Sequence, residues 1–420
     1  MPDFSDIELE IESLGGLGDG IGQWQGKPVF VPKSVPGDRL RVRIVHENHD
    51  GRQGSITSIV QPGESRIAPP CAHFTLCGGC TLQQLASESY LAFKTRLLHA
   101  ALAQGGFPSP DAPLISLPPA SRRRVEFKIA RDANGCGLGL LPLRSHRPIP
   151  IHSCLILEPE LQALIAPLNR ALSVFPPPDG LASLALTRAD NLIDLLLTLK
   201  RGDASSLAPL AQHVLTLGVS RVAARLPDGA IVILAEGEPV TLRLGDYAVP
   251  LPPATFLQAT RRGQELLTQA ACEAAANAKN IVDLFCGIGS YSFPLSASAR
   301  VHAVEGDAAM VNAIKSAIAR HAIPNLTAER RDLFKTPLSA GELSRFDAAI
   351  LNPPRVGAKA QTQQLAQSTL RTVAMISCNP ASFARDARAL KTAGFTLKKA
   401  FGVDQFAWSP HLEMVGVFFR

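Results

Sequence analysis

The stretch "NIVDLFCGIGSYSFPL", Asn280 to Leu295, decides the fold. It begins with an apolar run, Ile281–Leu284, of the length of a buried strand, with the acidic Asp283 at its end. Gly287-x-Gly289 follows and opens a helix. Glycines there let the backbone pass close to a ligand. A second strand, "ARVHAVEGD", ends in Glu305, 16 residues after Gly289. A carboxylate at that point can take both hydroxyls of a ribose. A dinucleotide site would want a third glycine, and Ser290, Tyr291, Ser292 and Phe293 stand in that region instead. The loop therefore favours S-adenosylmethionine (SAM) over NAD. Asp332 of "RRDLF" follows a third strand, near the adenine.

Working outward, residues 251–420 alternate strand and helix to the end, as a doubly wound α/β domain does. Residues 151–250 alternate helical and strand-like runs and close at the Pro-rich "AVPLPPATF". The first sixty residues are short strands punctuated by Gly and Pro, a pattern that suits a small barrel of the nucleic-acid-binding kind. The chain is thus read as multidomain α/β, with boundaries at 1–62 (barrel), 63–250 (central α+β domain) and 251–420 (doubly wound domain). In "RLRVRIV", Leu40, Val42 and Ile44 face one side and Arg39, Arg41 and Arg43 the other, a row able to track phosphates or simply to be solvated. Residues 1–60 carry 6 Lys/Arg against 9 Asp/Glu, so any RNA footprint there is local. From Ser121 to Arg147 the balance is 7 Lys/Arg to 2 Asp/Glu, the best basic patch of the chain and a candidate RNA face.

At 420 residues the chain is long enough for two or three cores. The start "MPDFSDIELEIE" lacks the basic and apolar regions of a signal peptide, and no apolar run approaches a membrane span. A cytoplasmic protein with no membrane partner is expected, monomeric by default. A net charge of +6 is modest. Eight cysteines in such a chain suggest a metal or catalysis where they cluster, not a disulfide scaffold.

Cys378 stands where the strand "TVAMIS" breaks at Asn379-Pro380 and a helix, "ASFARD", begins. A helix N-terminus lowers a thiol pKa. A thiolate that adds to carbon 6 of uracil makes carbon 5 enolate-like and able to take a methyl group; a base must then remove the carbon-5 proton. Glu413, opening the apolar strand of "WSPHLEMVGVFF", is the base candidate, with His411 as the other. Cys286 and Cys272 read as structural. Phe256 and Phe406 are either stacking aromatics or core.

"VDLFCGIG", "NPPRVGA", "SCNPASFARD" and "HLEMVGVF", in that order, resemble the RNA uracil-5-methyltransferase family. The likeness spans nearly the whole chain. It implies an OB-like TRAM barrel at the N-terminus and a C-terminal class I SAM methyltransferase domain. It implies Cys378 as nucleophile and Glu413 as proton-removing base. It implies that Gln258 of "ATFLQAT", Phe285, Ser290, Glu305 and Asp332 line the SAM site, Ser290 replacing a frequent Asn.

"PPCAHFTLCGGC" gives Cys71-x5-Cys77-x2-Cys80. Cys154 is the candidate fourth ligand and Cys136 the alternative. Four thiolates suit zinc or an iron–sulfur cluster equally by count. The resemblance points to the [4Fe–4S] cluster of ribosomal-RNA members, hence to 23S rRNA as substrate, with tRNA as the alternative.

Asn352 of "ILNPPRVG" departs from the family's usual Asp. Asn-Pro-Pro also marks amino-group methyltransferases of purines, but these carry an aromatic residue where Arg355 stands. An RNA-binding protein with a decayed site is the third reading. Asn accepts a hydrogen bond without charge, so Asn352 is placed as a binding residue, not a base.

Overall fold

A computed structural model describes residues 6–132, 135–190 and 192–420. Residues 1–5 of the acidic start, and Ala133 and Asn134 of the basic stretch, lie outside the described residues. The chain divides into two compact units. One comprises residues 1–97, 141–146 and 406–411, the other residues 98–140, 147–405 and 412–420.

The first unit holds a six-stranded sheet in the order Asp6–Glu10, Arg39–Asn48, Gly51–Gln61, Lys27–Val31, Gly20–Trp24 and Ser13–Leu14. Strict alternation sends Leu40, Val42 and Ile44 into a core with Ile7, Leu9, Val29 and Val31. The outward arginines do not face solvent unopposed. Arg43, Arg41 and Arg39 lie across from Asp6, Glu8 and Glu10. Arg43 Nε is 3.0 Å from Asp6 Oδ1, and Glu8 is within 3.9 and 4.0 Å of Arg39 and Arg41. The acids that made this segment net negative are thus the partners of its arginine row. Among the described residues no ladder joins the two edge strands, so the sheet is open where a closed barrel was expected.

The second unit holds two large sheets. One has seven strands in the order Ile149–Pro150, Gly135–Leu140, Arg124–Asp132, Leu181–Ala189, Leu192–Leu199, Arg221–Arg225 and Ile231–Glu236. Helix Ile165–Val174 covers it with Leu168, Ala171 and Leu172. The other sheet carries the glycine turn, and its strands are numbered here: β1 (Leu114–Ser116), β2 (Asn280–Leu284), β3 (Arg300–Glu305), β4 (Leu326–Arg330), β5 (Ala348–Leu351), β6 (Thr372–Ser377), β7 (Thr396–Asp404) and β8 (Glu413–Phe419). Their order is β4-β3-β2-β5-β6-β8-β7-β1. The run from β4 to β6 is parallel. Such strands are buried on both faces and read as unbroken apolar runs, as Ala348–Leu351 shows. The doubly wound expectation holds for these five strands. Beyond them, β8 runs antiparallel between β6 and β7, the two strands that precede it in the chain.

Candidate active site

Phe285, Ser290, Glu305, Asp332, Asn352 and Cys378 lie at or just past the ends of the parallel strands, the position at which open α/β sheets take ligands. The turn after β2 is held by unusual backbone. Phe285, Gly287 and Gly289 have φ of +61°, +57° and +86°. Side chains resist that region, so Phe285 is a strained residue, its ring packed 5.2 Å from that of Phe334. A Cβ at Gly289 would sit 2.9 Å from the Phe293 ring, whereas one at Gly287 would meet nothing within 4 Å. Gly289 is therefore fixed by packing as well as by φ, and Gly287 fronts open space. Ser292, where a dinucleotide turn would carry glycine, donates to Asp283 at 2.5 Å. Asp283 is fully buried beneath the turn, and burial pushes its carboxyl up to about 7.

Glu305 at the end of β3 is clamped by two backbone amides, Gly287 N–H at 3.0 Å and Asp307 N–H at 2.9 Å. Arg331 N–H donates to the Glu305 carbonyl at 2.8 Å and so brings Asp332 alongside. Asp332 is exposed and its Oδ1 accepts from Phe334 N–H at 3.0 Å. Ser290 is half-buried on the turn. Asn352, just past β5, donates its backbone N–H to the Leu284 carbonyl at 3.4 Å, which joins it to the glycine turn.

Gln258 is set from a different direction. Buried Arg123 donates from Nε to the Gln258 carbonyl (2.9 Å) and from its backbone N–H to that of Ala259 (2.9 Å). Arg124 Nη1 donates to the Leu257 carbonyl at 3.0 Å. Thr260 then caps helix Arg261–Ala274 by accepting from Gly263 N–H. "SRRR" and "ATFLQAT" are thus one structural cross. Arg123, 2 % exposed, belongs to its interior and is not available to an RNA face, unlike the exposed Arg131 and Arg147 of the same stretch. Burial depresses Arg123 and Arg124 alike to about 10. Phe256 is 61 % exposed and carries the Arg124 guanidinium 4.2 Å above its ring, so it is not core.

The register of β6 and β8, with Ser377 opposite Met414, sets Cys378 across from Glu413. Glu413 is 3 % exposed, and burial pushes its carboxyl up to about 7 against a donor from Gln405 Nε2 at 2.9 Å. His411 is exposed and falls in the other compact unit. The thiol differs from expectation. Burial raises Cys378 above its ordinary value and the Glu413 charge adds to this; Arg355, by charge and hydrogen bond, and a backbone amide pull it back. Burial and the Glu413 charge thus outweigh the lowering influences at the thiol, and the cap of the following helix is Asn379, which accepts from Ala381 N–H at 3.1 Å.

Arg355 is a residue of this site that the sequence treated only as the absence of an aromatic. Its loop is bound to helix Pro380–Thr392. Asn379 Nδ2 donates to the Arg355 carbonyl (2.9 Å) and Ala358 N–H to Asp386 Oδ2 (2.8 Å). Gly357, at φ +78°, passes so close that a Cβ would lie 2.6 Å from Asp386 Oδ2. Through Arg385 and Asp386 the "ARD" of the cysteine motif binds the "NPPRVG" loop to that helix. Cys286 is buried in the core and Cys272 packs against it.

Residues 251–420 match the family model described as tRNA (uracil-5-)-methyltransferase. An uncharacterized RNA methyltransferase of Caulobacter vibrioides is 36 % identical, covering 98 % of this chain and 100 % of its own. The chain belongs to the RNA uracil-5-methyltransferase family. A 23S rRNA (uracil(1939)-C(5))-methyltransferase of Shewanella denitrificans is 30 % identical, covering 98 % of this chain and 95 % of its own. The fold is that of the Pyrococcus abyssi tRNA (uracil-54, C5)-methyltransferase solved with S-adenosyl-L-homocysteine: TM-score 0.76, 19 % identity, 98 % of this chain and 100 % of that one. The protein is thus a SAM-dependent RNA (uracil-5-)methyltransferase of mixed α/β fold. No helix among the described residues is long and apolar enough to cross a membrane.

The iron–sulfur cluster that the resemblance implied finds no built site among the described residues. Among the described residues no group of three or more His, Cys, Asp or Glu side chains is arranged to hold a metal ion. Cys71, Cys77 and Cys80 share one loop. Cys154 N–H donates to Gln162 Oε1 at 2.7 Å, and Cys136 Sγ accepts from Arg131 Nη1 at 2.9 Å. The loop is instead closed by Lys33, which donates to the carbonyls of Phe74, Thr75 and Cys77 at 2.5, 3.1 and 3.0 Å.

Proposed function

We propose that the enzyme methylates carbon 5 of a uridine in 23S rRNA through a covalent protein–RNA adduct. The observation that carries this is the pairing of Cys378 with Glu413 at neighbouring strand ends, the thiol contacted by Arg355 and the carboxyl buried. The Cys378 thiolate bonds to carbon 6 of the base, and the displaced double-bond electrons make carbon 5 a nucleophile. Gly287, Gly289, Ser290, Phe285, Glu305, Asp332, Gln258 and Asn352 would hold SAM, which would supply a methyl group to that carbon and leave as S-adenosyl-L-homocysteine, its sulfur keeping the bonding pair. Glu413 then accepts the carbon-5 proton, the carbon–carbon double bond re-forms and the sulfur leaves. A carboxyl near 7 suits this task, since half is ionised at neutral pH while its conjugate acid forms readily. The target base must leave its stack to reach the thiol.

Incubation with SAM and 5-fluorouridine-containing rRNA fragments tests the reading. A covalent adduct is expected with the wild type and none with Cys378→Ala. Methyl groups on purine nitrogens with no adduct would instead establish the amino-group chemistry that Asn352-Pro353-Pro354 suggests. Binding with neither product would leave an RNA-binding protein.

The finer assignments rest on the sequence and on relatives. Ribosomal RNA is preferred to tRNA because the Shewanella relative bears that name over almost its full length. Mapping 5-methyluridine in RNA from cells lacking the protein decides between them. The domain reading 1–62, 63–250 and 251–420, the TRAM identity of the N-terminal sheet, a monomer and a cytoplasmic location belong to the same proposal. A [4Fe–4S] cluster on Cys71, Cys77, Cys80 and Cys154 rests on sequence spacing and resemblance alone. It requires a brown protein bleached by dithionite, and a colourless protein with stoichiometric zinc rejects it.

A further inference from the structure

We propose that Gln405 is a positioning residue that holds the Glu413 carboxylate through one half of its amide and ties it to Gln258 through the other. The inference rests on the reading of Glu413 as the base. Gln405 follows β7 and is 3 % exposed. Its Nε2 donates to Glu413 Oε2 at 2.9 Å and to Gln258 Oε1 at 2.7 Å, so both amide hydrogens are used. Its Oε1 accepts from Thr260 N–H at 3.4 Å. The amide has one workable orientation. Flipped, its carbonyl would face two acceptors and its NH2 would face a donor. Space for that carbonyl comes from Gly263, in the first turn of helix Arg261–Ala274, where a Cβ would sit 2.6 Å from Gln405 Oε1.

The arrangement selects a protonation state. A donor to a carboxylate makes a stronger bond than a donor to a neutral carboxyl. With its carbonyl turned to Thr260, Gln405 offers no acceptor to a protonated Glu413. The titratable groups that face Glu413 are the Cys378 thiol and the buried Tyr291 hydroxyl. Neither is a cation, and Glu413 makes no ion pair among the described residues. Burial and the Gln405 donor are opposed there, with Gln405 alone favouring the ionised form. The same amide makes the base sensitive to Gln258: a cofactor or base that reorients Gln258 alters the donor that Glu413 receives.

Gln405→Met keeps length and removes the donor. The expected result is release of tritium from 5-tritiated uridine in unmethylated rRNA slowed about tenfold at pH 7. The loss should narrow towards pH 9, with adduct formation unchanged. Gly263→Ala, which crowds the amide carbonyl without removing it, should move the pH profile the same way and serves if Gln405→Met does not fold. An unshifted profile, or an equal loss at every pH, overturns the role of Gln405. Glu413→Gln is run beside them. If it traps the methylated adduct while Gln405→Met keeps the wild-type profile, only the positioning role fails; if it turns over freely, the reading of Glu413 as base fails.

Discussion

Glu413→Gln should stabilise the folded protein while stopping turnover, and the gain should depend on pH. The carboxyl is fully buried and lifted from an ordinary 4.5 to about 7. Its folded-state pKa is therefore above its unfolded one, and the folded state holds its proton longer. As pH rises from 4.5 to 7, unfolding releases that proton and stability falls; above 7 the penalty is constant. Each unit of separation is worth about 1.4 kcal/mol. With those two values the wild type loses about 1 kcal/mol at pH 5 and about 3 kcal/mol at pH 8. Gln at this position does not titrate and still offers an oxygen to Gln405. The assay is urea unfolding of both proteins at pH 5 and pH 8. Asp283 titrates in the same window, but it is common to both chains and cancels in the difference. The variant should gain about 2 kcal/mol more at pH 8 than at pH 5. Equal gains at the two pH values would mean that the carboxyl titrates near its ordinary value, and would remove the reason for calling it a tuned base.

Arg355→Met removes the guanidinium that opposes burial and the Glu413 charge at Cys378. Adduct formation with 5-fluorouridine RNA should slow about tenfold at pH 7.5, and the loss should narrow only as pH passes the raised pKa of the thiol; a loss that persists beyond that pH would give Arg355 an RNA-binding role only. Gly357→Ala forces a Cβ to within 2.6 Å of Asp386 Oδ2 at a φ of +78°. It should cost about 1–3 kcal/mol in unfolding experiments and lower adduct formation by loosening the loop that carries Arg355; unchanged stability would show that the loop yields freely.

The glycine turn, Glu305 and the cysteine motif were legible because their constraints are local. Left-handed backbone asks for glycine, and a strand break announces a site. What escaped the sequence depends on partners brought from a distance. The Arg39, Arg41 and Arg43 row was visible on one strand, but Asp6 and Glu8 become its partners only through the register of another. Arg123 sat in a basic run, yet carbonyls 135 residues away draw it inside. At Cys378 the helix start was legible, but the burial and the Glu413 charge that raise the thiol come from residues distant in the chain. Gln405 carries no signal in its neighbourhood, since its role is defined by Gln258 and Glu413 together.

The antiparallel strand β8 has a consequence for how the protein comes into being. It lies between β6 and β7, which emerge from the ribosome before it. Until residues 413–419 are available, β6 and β7, each paired on its other side, lack the strand that joins them. That strand also delivers Glu413. A nascent chain therefore owns the cysteine first and the carboxylate last, and a partly made enzyme lacks the group proposed to let the RNA go. The strand that completes the sheet is also the one that sets Glu413 across from Cys378.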